Sequence, residues 1–202
     1  MPTLRSGRQL VAAVRAVLLA TVVLGLVYPL VTLGLAQVIR PGGADGSLVT
    51  RDGTVVGSSL IGQAFTSDAG DALPQYFQSR PSASDYDGAA SGGSNLGPNS
   101  SDLVDAITER QSQVAAFNGV TPADVPADAV TASASGLDPG ISPAYAALQV
   151  ARVAAARGAS AADVTTLVDD ATHGRDLGFI GAPYVNVLEL NLALDERIGT
   201  AG

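Results

Sequence analysis

"AVLLATVVLGLVYPLVTLGLAQVI", residues 16–39, decides how the rest of the chain is read. It carries no charge, and Arg15 and Arg40 bracket it. As a helix it would run about 36 Å, against roughly 30 Å of hydrocarbon in a bilayer. Pro29 falls in mid-segment, where a spanning helix tolerates a bend. A cleaved signal peptide is the rival, since Gly34-Leu35-Ala36 has the small-x-small look of a cleavage site. The uncharged run is longer than a signal peptide's apolar core of about 7–15 residues, so the reading is a retained transmembrane helix.

The charges on either side differ. Arg5, Arg8 and Arg15 precede the segment with no acid among them, whereas from Arg40 onward eight arginines face nineteen acids. Short basic flanks stay cytoplasmic. The expected organisation is a cytoplasmic tail (1–15), a transmembrane helix (16–39) and an extracytoplasmic domain (40–202). The chain has no cysteine and no lysine. Disulfides, iron–sulfur clusters, thiol catalysis, a Schiff-base lysine and a Walker-type phosphate loop are therefore excluded. With 4% aromatics and a net charge of −8, a nucleic-acid surface is not expected.

Pro41 to Gly46 reads as a linker off the membrane. Asp52-Gly53 between β-formers predicts a two-residue hairpin turn, and Ser59 to Phe65 either extends its second strand or forms another. Residues 66–98 form a long, glycine-rich loop, in which Tyr76, Phe77 and Tyr86 argue for order. A helix is predicted from Ser101 to Asn118, with Ser100 or Ser101 as cap and Leu103, Ile107, Val114 and Phe117 on its apolar face. A second runs from a Ser142 cap, with Pro143 in its first position, to Gly158. Ser160 with Asp163 opens a third, ending near Ala171. The run "VNVLELNLALD" (185–195) alternates, with Leu188, Leu190, Leu192 and Leu194 on one side. That pattern predicts a half-buried strand, with a leucine-rich helix as the rival. The fold class expected is α+β: one domain of about three helices and a small sheet behind the single membrane helix.

The stretch "SGGSNLGPN" (91–99) looks most like chemistry. A nucleotide cradle of the P-loop type needs the missing lysine. Nucleophilic Ser91 or Ser94 needs a base within reach, and His173 is the only histidine, in a polar loop. Asp85-Tyr86-Asp87-Gly88 lacks the third acid and final glutamate of a calcium loop and reads as a surface turn. No catalytic residue and no metal ligand is therefore expected. The expectation is that Gly92, Gly93 and Asn95 adopt positive φ, and that Ser94 and Asn95 bond backbone within the turn. A defined, donor-rich loop of this kind suits contact with another protein. Two other readings are an anchored or secreted serine hydrolase and a free solute-binding domain.

Five blocks carry a resemblance: "GSSLIGQAF" (57–65), "YFQSRPSASDYD" (76–87), "SGGSNLGPN" (91–99), "VTASASGLDPGISPAYAALQVARVAAARG" (130–158) and "GFIGAPYVNVLELNLALD" (178–195). In this order, behind one N-terminal apolar segment, they resemble the C subunit of the Kdp-type potassium-transporting P-type ATPase. Gly140, Ala182 and Tyr184 depart from that family's usual residues. The resemblance implies a non-catalytic accessory subunit in the cell membrane. Its partners would be a channel-like A subunit, an ATP-hydrolysing B subunit and a small F subunit. It also implies a role in assembly and as a catalytic chaperone that raises the ATP affinity of the B subunit. ATP, Mg and potassium would be used by the complex, with no cofactor of this chain's own. A family proposal for direct nucleotide contact falls on Gln149, which an extracytoplasmic placement would keep away from ATP. Candidates for subunit contact are Arg80, Ser91, Gly92, Gly93, Ser94, Asn95, Asp138, Asn186 and Asn191.

Overall fold

Residues 3–199 are described by the computed structural model, and they fall into two compact units, one ending at Leu48 and one beginning at Val49. The first unit is helical: α1 (Thr3–Val22), a π-helical turn (Val23–Val27), α2 (Tyr28–Ile39) and the short α3 (Pro41–Ala44). The stretch Gly7–Ile39 is long and apolar enough to cross a membrane, and none of its most apolar window is buried within the chain. Pro29 brings no N–H, and the π turn just before it absorbs the misfit without ending the helix. The Thr32 hydroxyl donates back to the carbonyls of Tyr28 and Pro29, at 2.9 and 3.0 Å. Within the expected short linker at 41–46, Pro41–Ala44 forms a helical turn. Pro41 suits its first position, and Gln37 Nε2 donates to Asp45 Oδ1 at 2.7 Å across it.

The second unit is α+β. Strands β1 (Leu48–Arg51) and β2 (Thr54–Ser58) form the predicted hairpin. Asp52 and Gly53 take φ of +50° and +77°, the left-handed pair that matches strand twist. Ser59 to Phe65 does not extend β2 as a strand; isolated bridges join Ser58 to Ile61 and, further on, Thr66 to Ala72. The long loop then leads to α4 (Ser101–Asn118), ended by Gly119 at φ +67°. Ser100 occupies the cap position of α4, but its side chain makes no capping bond. A 3₁₀ turn (Pro122–Asp124) and α5 (Ala127–Val130) follow.

Next come β3 (Gly140–Ile141), α6 (Pro143–Arg157), α7 (Ala161–Asp170), β4 (Thr172–His173), β5 (Tyr184–Asn186) and α8 (Val187–Arg197). The caps of α6 and α7 are as expected: Ser142 accepts from Tyr145 N, and Ser160 from Asp163 N. Strands β3, β5 and β4 form an antiparallel sheet in that spatial order, with Ile141 opposite Val185 and His173 opposite Tyr184.

The predicted strand at 185–195 is a correction. Only Tyr184–Asn186 is extended, and Val187–Arg197 is a helix. Asn186 caps it, accepting from Glu189 N at 3.2 Å. Its buried positions, Val187, Leu188, Leu190, Asn191, Leu194 and Asp195, recur at three and four residues, whereas Leu192 is only half-buried. Leucine at every second position satisfies a strand pattern, but the cap and the polar residue between leucines belong to a helix. Among the described residues the second unit thus has four helices of ten residues or more, α4, α6, α7 and α8. Its core joins α6, α7, α8 and β5 around Phe77 from the long loop. Helix α4 fully buries only Ala115, so it lies at the margin of that core.

Helical phasing makes unequal leucines. Leu194→Ala should cost about 3 kcal/mol, and Leu192→Ala about 1 kcal/mol. Denaturant unfolding of the full chain in detergent reads the difference, and equal losses would restore the strand.

Candidate functional site

The long loop meets other backbone only at scattered points, so the N–H and C=O groups of Phe77 and Gln78 need side-chain partners. Two carboxamides supply them. Asn191 on α8 accepts from Phe77 N at 2.9 Å and donates to Phe77 O at 3.0 Å. Gln149 on α6 accepts from Gln78 N at 2.7 Å and donates to Gln78 O at 3.1 Å. Consecutive residues are thus gripped as a neighbouring strand would grip them. Arg152 Nη2 adds a third bond to Gln149 Oε1, at 2.7 Å. Gln149 is fully buried, and any ligand reaching its amide would first have to displace these bonds. Asn186, besides capping α8, donates to Ser59 O at 2.8 Å. Asn191 and Asn186 therefore face inward, Asn191 holding the loop and Asn186 holding the chain just after β2.

Around this grip, three loop segments are knitted into one surface. Arg80 Nη1 meets Asp138 Oδ2 at 2.8 Å, while its Nε is buried without a partner. Ser82 donates to Gly136 O at 2.7 Å and accepts from the amides of Ser84 and Tyr86. The Tyr86 hydroxyl donates to Arg80 O. Both Gly92 N and Ser91 Oγ donate to Ser135 O, at 2.8 and 3.0 Å. A cleft of about 630 Å³ opens beside Arg80 and Asp138, lined also by Leu60, Ile61, Ser133 and Ser135.

The glycines work differently from expectation. Asn95 has φ +53°, as expected, but Gly92 and Gly93 do not take positive φ. A Cβ on Gly93 would lie 2.8 Å from Ala134 O, so that glycine serves close approach of two loops. Gly136 does both: φ is +71°, and an added Cβ would collide with Ser84 Oγ and with Gly92 O at 2.6 Å. Among the described residues, the side chains of Ser94 and Asn95 make no bond to the turn; Ser91 takes that role. Ser94 and Asn95 are left exposed at its edge.

Charge is concentrated under the loop. Asp195 on α8 pairs with Arg51 of β1 at 2.7 Å and with Arg157 of α6 at 2.8 Å, and accepts from the Tyr76 hydroxyl at 3.3 Å. Arg157 is stacked over Tyr76 and also donates to Gln75 O. Burial pushes the Arg152 guanidinium down to about 10, still charged at neutral pH. It bonds Asn118, Gln149 and the carbonyls of Pro74 and Tyr76, and lies over the Phe117 ring. The sequence reading missed Arg152, Arg157 and Asp195. Apart from Gln149 their partners lie far along the chain, and the one available signal was that three charges stand among apolar positions.

His173 is 3.3 Å from Glu189 Oε2 and stacked on Tyr184. Neither Ser91 nor Ser94 has a histidine within hydrogen-bond reach among the described residues. Among those residues no group of three or more metal-ligating side chains occurs. The exposed turn after β4 carries Leu177 and Phe179, 83% and 71% exposed, a second apolar surface that the sequence reading passed over.

A family model described as "K+-transporting ATPase, c chain" (KdpC) matches residues 10–196. A potassium-transporting ATPase KdpC subunit of Kineococcus radiotolerans is 54% identical over 189 residues, covering 93% of each chain. The same-named protein of Gemmatimonas aurantiaca is 55% identical over 180 residues, covering 88% of this chain and 87% of its own. That of Mycobacterium bovis is 49% identical over 192 residues, covering 93% and 98%.

Asn191→Leu keeps the volume but strips Phe77 of both partners, and should cost about 2–4 kcal/mol by denaturant unfolding. Burial also pushes the Tyr86 and Tyr145 phenols up to about 12. Below pH 10 folded and unfolded chains both hold these protons, so stability from this source is intact. Between about pH 10 and 12 the unfolded chain releases them first, and stability falls. Tyrosinate absorbance checks this: Tyr86→Phe and Tyr145→Phe should each remove part of the late-titrating signal.

Proposed function

We propose, from the premise that this chain belongs to the KdpC family of K+-transporting ATPase c chains, that it is the accessory C subunit of an ATP-driven potassium uptake pump. The carrying observation is the continuous match over residues 10–196, which takes in the membrane-length helix and the knitted loops together. In this reading residues 1–15 are cytoplasmic, 16–39 cross the cell membrane once, and the acidic remainder lies outside. The arginines before Ala16 support that orientation. The partners are the A, B and F subunits. ATP, Mg and potassium are handled by the complex.

The outer domain works by contact. Its loop surface, with Arg80, Ser91, Ser94, Asn95 and Asp138 at or near the solvent edge, rests on the ion-conducting A subunit and supports assembly. Gly92 and Gly93 set that edge, and Asn186 and Asn191 hold it from beneath. A subunit that binds one state of the pump more tightly shifts the pump toward that state. ATP affinity at the B subunit then rises without this chain touching nucleotide, and Gln149 acts as a loop clamp. The hydrolase reading finds no support, since Ser91 Oγ is turned to Ser135 O and neither Ser91 nor Ser94 has a histidine within hydrogen-bond reach among the described residues.

Two measurements test this. The chain lacks cysteine, so Ala162→Cys, on an exposed face of α7, gives a unique thiol. A membrane-impermeant reagent should label it in intact cells; labelling only after lysis overturns the placement. In reconstituted pump, omitting this chain should raise the ATP concentration needed for half-maximal turnover. By linkage, a nucleotide analogue should tighten this chain's association with the pump by the same factor by which the chain tightens nucleotide binding.

A further inference from the structure

The turn between β4 and β5, residues 174–183, gathers exposed apolar side chains at its tip. Leu177, Phe179 and Ile180 are 83%, 71% and 50% exposed, and Tyr184 at its foot is 41% exposed. The backbone beneath them is fixed. Asp176 and Ile180 exchange N–H to O bonds of 3.0 and 2.9 Å, and Gly178 N donates to Arg175 O at 3.1 Å. Leu177 is held at φ +52°, a region that costs any residue with a side chain. A leucine kept in that region with its side chain in water points to a use for the exposure.

The chain itself limits what this tip can reach. Eight residues, 40–47, join α2 to β1, and at full stretch they span about 30 Å. A unit as long as the second one is roughly 40 Å across. Behind a membrane-spanning helix it never leaves the neighbourhood of the bilayer, and even a weak lipid contact is held at high effective concentration. Charge selects the point of contact. From Val49 onward seven arginines face eighteen acids, a balance that lipid phosphates repel, whereas residues 174–183 carry one arginine and one acid. Size speaks against a protein partner for the tip alone. A stable protein interface takes about 800 Å² from each side, far more than these few side chains supply.

We infer that Leu177, Phe179 and Ile180 form a membrane-contact tip that inserts into the headgroup–acyl boundary of the bilayer holding the chain. The inference rests on the membrane-spanning reading above. The apolar side chains leave water for the outer ends of the acyl chains, and Tyr184 stays at headgroup level, where a ring with a polar end is at home. The tip thus gives the second unit a preferred face toward lipid, beyond what its tether imposes.

The chain has no tryptophan, so Phe179→Trp in the full chain is a single fluorescent reporter. In phosphatidylcholine vesicles it should emit to the blue of Val104→Trp, an exposed position on α4. It should also lose most of its emission when the lipid is brominated near the headgroup end of its acyl chains, while Val104→Trp keeps its own. Adding Leu177→Ser and Ile180→Ser to the Phe179→Trp chain should restore most of that loss. Unquenched, water-like emission from Phe179→Trp overturns the proposal, as does quenching that the two serines leave unchanged or that Val104→Trp shares. The same reporter in vesicles holding the whole pump tests for protein contact. A blue shift seen only there, without bromine quenching, assigns the tip to another subunit and overturns the lipid assignment. Leu24→Trp scores the underlying reading separately, through quenching by bromines deep in the acyl chains. If it is not quenched, the span and this proposal fall together; if it is quenched while Phe179→Trp is not, only the proposal falls.

Discussion

Two carboxamides carry the architecture of the second unit. A loop of some thirty residues with no strand partner would leave buried amides and carbonyls unpaired, each at about 1–3 kcal/mol. Asn191 and Gln149 meet that need at Phe77 and Gln78, from two different helices. Once these residues are fixed, Phe77 can fill the core, and the chain on either side is placed well enough for Ser82, Tyr86 and Gly92 to find partners. Loss of either amide would therefore loosen a surface many residues away.

The charges reinforce this grip from below. Asp195 draws together Arg51 from the first hairpin, Arg157 from α6 and Tyr76 from the loop. A buried carboxylate with two arginines and a phenol is well satisfied, but removing one partner strands the others. The cluster thus ties segments that enter the fold at its beginning, middle and end. It gives the unit a way to hold a polar loop without a large sheet.

Local signals were readable wherever the cause was local. Asp52-Gly53 turned the hairpin, Ser142-Pro143 opened α6, and Ser160 with Asp163 opened α7, because each motif fixes its own backbone. The run at 185–195 misled because alternating leucines satisfy two periods at once; the deciding residue, Asn186, acts as a cap only when the following residues coil. The loop surface was legible as ordered, through its aromatics, but not in its partners. The contacts of Asn191 with Phe77 and of Arg51 with Asp195 join residues more than a hundred positions apart. No spacing rule reaches that far. Gly93 shows the same limit, since its role depends on Ala134 from another loop.

That glycine has a consequence for how the surface can drift over generations. Positions 93 and 136 are where two backbones touch, and any side chain there pries the loops apart. Ser94, Asn95 and Leu96 project beyond the contact and meet no such bar. Diversification should therefore collect at the rim while the seam beneath stays fixed, so that related chains can change the exposed edge without rebuilding the domain that carries it.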